Sequence, residues 1–229
     1  LCADGADMID IGAESTLPHA RRVDIEQQMD RLLPVVDALK ARRILVSVES
    51  YYPEVLDACA KTGADIFNLT GTLYSDEIFE LAAKHDVAVI LCYVQGETVR
   101  DAAEFRFQDD MIAEVGRFFR QLTADAEQWG VSKCFIDPGL GFYYNNLQDS
   151  RQRINYQLNT FLQCFRLHEL GYPIFNILPH APEIFGEAER RAAEPFFSVL
   201  ALLGGTHVLR SHEIRTVHRV RQVMDLYQP

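Results

Sequence analysis

Seven short apolar segments of β character recur along the chain, and nearly every one runs straight into a polar residue or a glycine. They are Met8-Ile9-Asp10-Ile11, Ile44-Leu45-Val46-Ser47-Val48, Asp65-Ile66-Phe67, Val87-Ala88-Val89-Ile90-Leu91, Cys134-Phe135-Ile136, Pro173-Ile174-Phe175 and His207-Val208-Leu209. Continuously apolar runs rich in Ile and Val are what strands buried on both faces require. Helix-length stretches separate them. The pattern predicts a parallel α/β fold with polar groups gathered at the C-terminal strand ends, where a (β/α)8 TIM-type barrel carries its active site. A closed barrel of this class has eight strands, and an open parallel sheet leaves its edges unpaired. The expectation is therefore a barrel whose first strand is missing from this chain.

Spacing defines the helices. Residues 24–41 place Ile25, Met29, Leu32, Leu33, Val36 and Leu39 three and four apart, and Asp24 is well suited to cap them. Residues 53–62 begin at Pro53 and stop near Gly63. Residues 76–85, 104–129, 151–170, 187–203 and 213–227 read as helices in the same way, and Leu1–Gly5 as the tail of another. A Gly-Ala-Asp-apolar lead-in occurs twice, at Gly5-Ala6-Asp7-Met8 and Gly63-Ala64-Asp65-Ile66. With no linker or low-complexity stretch, a single domain over residues 1–229 is expected.

A formal net charge of −11 argues against nucleic acid, whose phosphates need a basic footprint. No apolar run approaches the roughly 18 residues that cross a membrane. The five cysteines are scattered and odd in number, which points to reduced thiols in a cytoplasm. No Cys-x-x-Cys or His-Glu-x-x-His occurs, so no protein-built metal cage is expected.

The most specific string is Asp137-Pro138-Gly139-Leu140-Gly141-Phe142, in which a proline and two glycines enforce a tight turn after a strand. It serves equally as a plain strand-ending turn or as a mount for the Asp137 carboxylate. The loop Gly12-Ala13-Glu14-Ser15-Thr16-Leu17-Pro18 supplies a carboxylate and two hydroxyls, and Asp24 as the helix cap frees Thr16 for other work. Glu49 ends a strand, although an acid there also complements the dipole of the helix from Pro53. Asn68, Gln95 and Arg210-Ser211-His212 end three more strands; Arg210 and His212, two apart, would share a face. Together these residues offer carboxylates and an amide to a ligand with several in-plane N–H donors, and an arginine plane for stacking.

Taken in order, Glu14-Ser15-Thr16-x-Pro18, Ser47-Val48-Glu49-Ser50, Asn68, Gln95-Gly96, Asp137-Pro138-Gly139-x-Gly141-Phe142 and Arg210-Ser211-His212 resemble the dihydropteroate synthase family, over nearly the whole chain. The resemblance implies a pterin-binding barrel of folate synthesis that condenses 6-hydroxymethyl-dihydropterin pyrophosphate with p-aminobenzoate. It implies Asp137 on the pyrimidine edge of the pterin, Asn68 and Glu49 on the remaining ring nitrogens, Arg210 stacked on the ring and His212 near the pyrophosphate. Thr16, Gln95, Gly141 and Phe142 complete the implied site, with Thr16, Arg210 and His212 in the catalytic group. Mg2+ is implied as well, held in the family partly by a first-loop asparagine that this chain lacks. A homodimer through outer helices is implied, with Phe196, Phe197, Val199, Leu200, Leu202 and Leu203 as its apolar surface or, equally, as core.

Three departures fall in the implied site. Leu17 stands where the family has arginine, Leu178-Pro179-His180-Ala181-Pro182 where it has Ser-Arg-Lys, and Glu49 where it has aspartate. Two of these remove positive charge, so weak or altered synthase activity is expected. Two alternatives need no pyrophosphate site: a methyltransferase using a methyl-pterin, and a non-catalytic pterin-binding or regulatory relative.

Overall fold

The computed structural model describes residues 1–16, 20–100, 104–142, 144 and 150–226. Leu17 and Pro18 of the first loop, and the end of the helix expected to reach 227, lie outside the described residues. Strands and helices alternate: β1 (Met8–Gly12), α1 (Ile25–Lys40), β2 (Leu45–Glu49), α2 (Pro53–Thr62), β3 (Ile66–Leu69), α3 (Ser75–His85), β4 (Ala88–Cys92), α4 (Met111–Gln128), β5 (Cys134–Asp137), α5 (Ser150–Gln163), β6 (Phe175–Ile177), α6 (Pro182–Phe185), α7 (Glu194–Leu203), β7 (Val208–Arg210) and α8 (Ile214–Met224). Contacts group the chain into two compact units. The N-proximal unit is Asp7–Ala102 with Phe118–Phe135, and the C-proximal unit is Leu1–Ala6, Ala103–Arg117 and Ile136–Pro229.

In the N-proximal unit, β1 to β4 pair in sequence order and in parallel. The Val89 amide donates to the Lys133 carbonyl at 2.8 Å, which brings the lead-in to β5 alongside β4. Val46, Val48, Phe67, Val89, Ile90 and Leu91 have no exposed surface, as strands covered on both faces must. In α1 the buried stripe is Gln28, Leu32 and Val36, four apart, so a polar residue holds one place in it. Asp24 caps α1 as expected, accepting from the Gln27 amide at 2.8 Å. Pro53 and Gly63 bound α2, where Gly63 takes φ 111°, a left-handed conformation that glycine adopts without strain. Gly5, which belongs to the C-proximal unit, takes φ 107° in the matching Gly-Ala-Asp lead-in, after a 3-10 turn at Cys2–Asp4 rather than an α-helix.

In the C-proximal unit, Ile136 of β5 and Ile174 form a parallel bridge, and β6 pairs with β7 in parallel. Three helical expectations change here. The stretch from 104 turns α-helical only at Met111, because Phe105 is buried against Tyr144 and Tyr156 rather than placed on a helix face. Cys164–Leu170 and Glu187–Ala193 are 3-10 turns attached to α5 and α7; in the first, Cys164, Leu167 and Leu170 recur every three residues, a period close to that of an α-helix. In α7, Glu194, Phe197, Ser198 and Ala201 are buried, while Phe196 and Leu203 are exposed.

Candidate active site

The register of the N-proximal sheet puts Asp10 beside Ser47, Gly12 beside Glu49 and Glu49 beside Asn68. Parallel neighbours share a face and so do residues two apart, hence Asp10, Ser47, Glu49 and Asn68 lie on one side of the sheet, Asp10 and Ser47 at mid-strand and Glu49 and Asn68 toward the C-terminal end. Ser47 Oγ donates to Asp10 Oδ1 at 2.7 Å, and Asn68 Nδ2 donates to both Asp10 oxygens at 3.2 Å. The Asn68 amide is thereby oriented with its nitrogen toward Asp10. Ser47 and Asn68 are buried, whereas Glu49 is half-buried. Gln95 donates to the Tyr93 hydroxyl at 2.9 Å, just past β4.

The loop after β1 is anchored by Glu14. Its side chain, 4% exposed, accepts from Arg100 at 2.5 Å, Arg22 at 3.0 Å and the Val23 amide at 2.7 Å. Glu14 is therefore an anchor, and Thr16 lies half-exposed two residues beyond it. Gln28, fully buried, donates to the Val23 carbonyl and accepts from Ser50 Oγ, both at 2.9 Å. Next to Ser50, burial pushes the Tyr51 hydroxyl up to about 12.

In the C-proximal unit the Asp137 string forms the tight turn its composition predicts. Asp137, 5% exposed, accepts from the Gly139 amide at 2.8 Å, and Gly139 takes φ 76°. A Cβ on Gly141 would lie 2.4 Å from Ile177 Cγ2, so only glycine fits without displacement. The buried Gln157 amide holds the Leu140 carbonyl at 2.8 Å, and Phe142 follows half-exposed.

Arg210 ends β7 beside Ile177. The strand stops there, so His212 does not share a strand face with Arg210; a buried carboxylate places it instead. Glu194, at the start of α7, has no exposed side-chain surface. Its Oε2 accepts from Ser211 Oγ at 2.5 Å and from the amides of His212 and Glu213 at 2.8 and 3.2 Å. Its Oε1 faces His180 Nε2 at 3.0 Å and His212 Nδ1 at 3.3 Å. Burial alone would raise the pKa of this carboxyl, but the bonds from His180, His212 and Ser211 outweigh burial and hold it well below the usual range. One ligand atom from each of His180, Glu194 and His212 lies within 4.8 Å of the others.

Asp10, Arg100 and Glu194 are not legible as site residues in the sequence. A carboxylate inside an apolar strand, with a serine in the next strand, is a usable signal for Asp10. Glu194-Pro195 reads only as a helix start, and nothing local marks Arg100.

The family described as "Pterin binding enzyme" matches residues 1–212. Dihydropteroate synthase of Escherichia coli is 32% identical over 230 residues, covering 96% of this chain and 78% of that protein. The solved dihydropteroate synthase of Thermus thermophilus in complex with 4-aminobenzoate superposes with a TM-score of 0.82 at 29% identity, covering 99% of this chain and 86% of that one. The Yersinia pestis enzyme with a sulfonamide drug complex gives a TM-score of 0.84 at 26% identity, covering 98% of this chain and 81% of that one. The fold class is accordingly the α/β TIM-type barrel. With the Asp-Pro-Gly-x-Gly turn and the polar strand ends in the order noted above, this chain belongs to the dihydropteroate synthase family of pterin-binding enzymes.

Proposed function

We propose that the chain condenses 6-hydroxymethyl-dihydropterin pyrophosphate with p-aminobenzoate, at a rate below that of an ordinary enzyme. The family match over residues 1–212 carries this reading. Solved relatives from Thermus thermophilus hold 4-aminobenzoate in one case and 6HMPPP in another, which supports both substrates. In this reading the Asp137 carboxylate accepts two parallel N–H donors of the pterin, a charge-assisted pair. Asn68, oriented by Asp10, and Glu49 meet the remaining ring nitrogens. Arg210 stacks on the ring, with Gly141, Phe142, Gln95 and Thr16 around it. The aniline nitrogen attacks the pterin methylene carbon, the carbon–oxygen bond breaks, pyrophosphate leaves with the electron pair, and the new amine loses a proton.

Pyrophosphate gains charge as that bond breaks, and one preorganised donor at such a point is worth about 2.7–4 kcal/mol. Leu17 and the Leu178–Pro182 stretch forgo two cations that the family resemblance implies. His180 and His212 offer little replacement, because both rings face the Glu194 carboxylate. The donor sets described do not fit Mg2+, which takes oxygens in an octahedron. Asp10 is engaged by Ser47 and Asn68, and Glu194 faces two imidazoles.

The test is pyrophosphate release that depends on both substrates, beside calorimetric titration with a pterin. Turnover above roughly 1 per second would overturn the reduced rate. Saturable pterin binding without any release would favour a methyl-pterin enzyme or a non-catalytic relative. Homodimerisation belongs to the same proposal, supported by the exposed Phe196 and Leu203 on α7. Sedimentation at micromolar concentration checks it, and a monomer that Phe196→Glu leaves unchanged would refute it. Among the described residues no helix is long and apolar enough to cross a membrane.

A further inference from the structure

Glu194 brings together three parts of the chain that no local motif connects. It sits in the first turn of α7, His180 lies in the stretch after β6, and His212 follows β7. One carboxylate oxygen, Oε2, is fully engaged by a hydroxyl and two amides. The other, Oε1, is approached by two imidazole nitrogens at 3.0 and 3.3 Å. A carboxylate oxygen has two lone pairs, so the position between the rings can be held by two N–H donors or by a cation that both rings ligate. Two neutral-capable nitrogens and one anionic oxygen, converging from three segments, make a coordination set.

We propose that His180 Nε2, Glu194 Oε1 and His212 Nδ1 form a binding site for a first-row transition cation of the Zn2+ or Co2+ type, with a position left for water. The proposal does not depend on the synthase reading. Zinc bonds of about 2.0–2.1 Å imply tetrahedral ligand–ligand edges near 3.3 Å. Two edges are already 3.0 and 3.3 Å. The third, between the two rings, is within 4.8 Å, and closing it falls to the part-exposed His212 ring.

The supporting shell is that of a metal centre. Ser211 and two backbone amides orient the carboxylate, as partners of metal-ligating groups do. The stretch carrying His180 is pinned by Arg153, which is itself 1% exposed. Arg153 donates to the His180 carbonyl at 3.0 Å and grips both Glu183 oxygens at 2.7 Å. The side chains of His180 and His212 are 22% and 40% exposed, which gives an ion access. Imidazole with one carboxylate suits zinc, cobalt or nickel, whereas magnesium and calcium prefer oxygen throughout.

The experiment uses the full chain, stripped with chelator, and titrates Co2+ alone while visible absorption is followed. Expected is one equivalent bound with the intense d–d absorption of four-coordinate cobalt, displaced by one equivalent of Zn2+ and untouched by excess Mg2+. Ser211→Ala should weaken binding by roughly 10–100-fold, as loss of an outer partner does, and His180→Ala should weaken it further. Glu194→Gln risks misfolding because the site is buried. The part-exposed His180 and His212 carry the decision, with circular dichroism confirming that their variants fold. His218→Ala, on α8 and outside the three-residue cluster, should bind as the parent does. Absence of stoichiometric binding, weak six-coordinate absorption, or unchanged affinity in a folded His180→Ala, His212→Ala double variant would each overturn the proposal.

Discussion

Gly141→Ala should separate the packing of the Asp137 turn from its chemistry. The added Cβ would sit 2.4 Å from Ile177 Cγ2 and 2.8 Å from Ile177 Cδ1. Carbon pairs rest at about 3.5–4.0 Å, so turn and side chain must part by about 1 Å. Cγ2 moves only with χ1, which a β-branched side chain holds stiffly, so relief by a rotamer change is itself costly. Overpacking of this size costs about 1–3 kcal/mol, or roughly 2–4 °C of melting temperature per kcal/mol in a domain this long. Urea unfolding should show a lower midpoint at unchanged slope. Because the overlap is with one side chain, Ile177→Ala should relieve it: the double variant should be more stable than the sum of the singles by at least about 1 kcal/mol. Pterin affinity should fall in Gly141→Ala as well, since Asp137 lies four residues upstream in the displaced turn, and recover in the double variant. Additivity within about 0.5 kcal/mol, or a Gly141→Ala protein as stable as its parent, would refute the reasoning.

Asp137→Ala should abolish pterin binding by leaving two ligand donors unpaired at roughly 1–3 kcal/mol each. Asp137→Asn keeps the bond from the Gly139 amide, so calorimetry on that variant separates lost recognition from a lost turn; unchanged affinity would remove Asp137 from the site. In the native protein only the exposed Cys2 should be labelled by iodoacetamide at pH 8, because the other four cysteines are buried, which pushes the thiols of Cys59 and Cys134 up to about 11 and that of Cys164 up to about 12. Mass spectrometry showing rapid modification of those three would contradict their burial. The Asp57 carboxyl is held below its ordinary range by Lys61 and His85. Its contribution is present above the unfolded value near 3.9 and lost as pH falls toward the folded one. Asp57→Asn should thus be less stable than the parent at neutral pH, with the gap closing in urea melts below about pH 4.

The alternation of strands and helices is legible because strands buried on both faces leave unbroken apolar runs. Pro53 and Gly63 punctuate α2 so firmly that its bounds follow from composition. The Asp137 turn is legible for a similar reason, since Gly139 and Gly141 each answer a local geometric demand. The Glu194 cluster is not, because its partners His180 and His212 lie 14 and 18 residues away and meet it only through tertiary packing. Asp10 reads as part of an apolar strand, although its opposite number, Ser47, is visible in the next one. The expected reach of α4 is too long because Phe105 and Phe107 continue a helical spacing while belonging to an aromatic cluster.

Glu14 has a thermodynamic consequence for whatever reaches Thr16. One carboxylate links the loop after β1 to Arg22, Val23 and Arg100, and both Glu14 and Arg100 are all but inaccessible. Removing a partner from such a buried pair costs about 3–5 kcal/mol, far above thermal energy, so the base of the loop stays in one conformation. The entropy of fixing that backbone, about 1–2 kcal/mol per residue, is surrendered when the chain folds and is not demanded again when a ligand arrives. Association at this edge should accordingly show a small entropic penalty for its contacts.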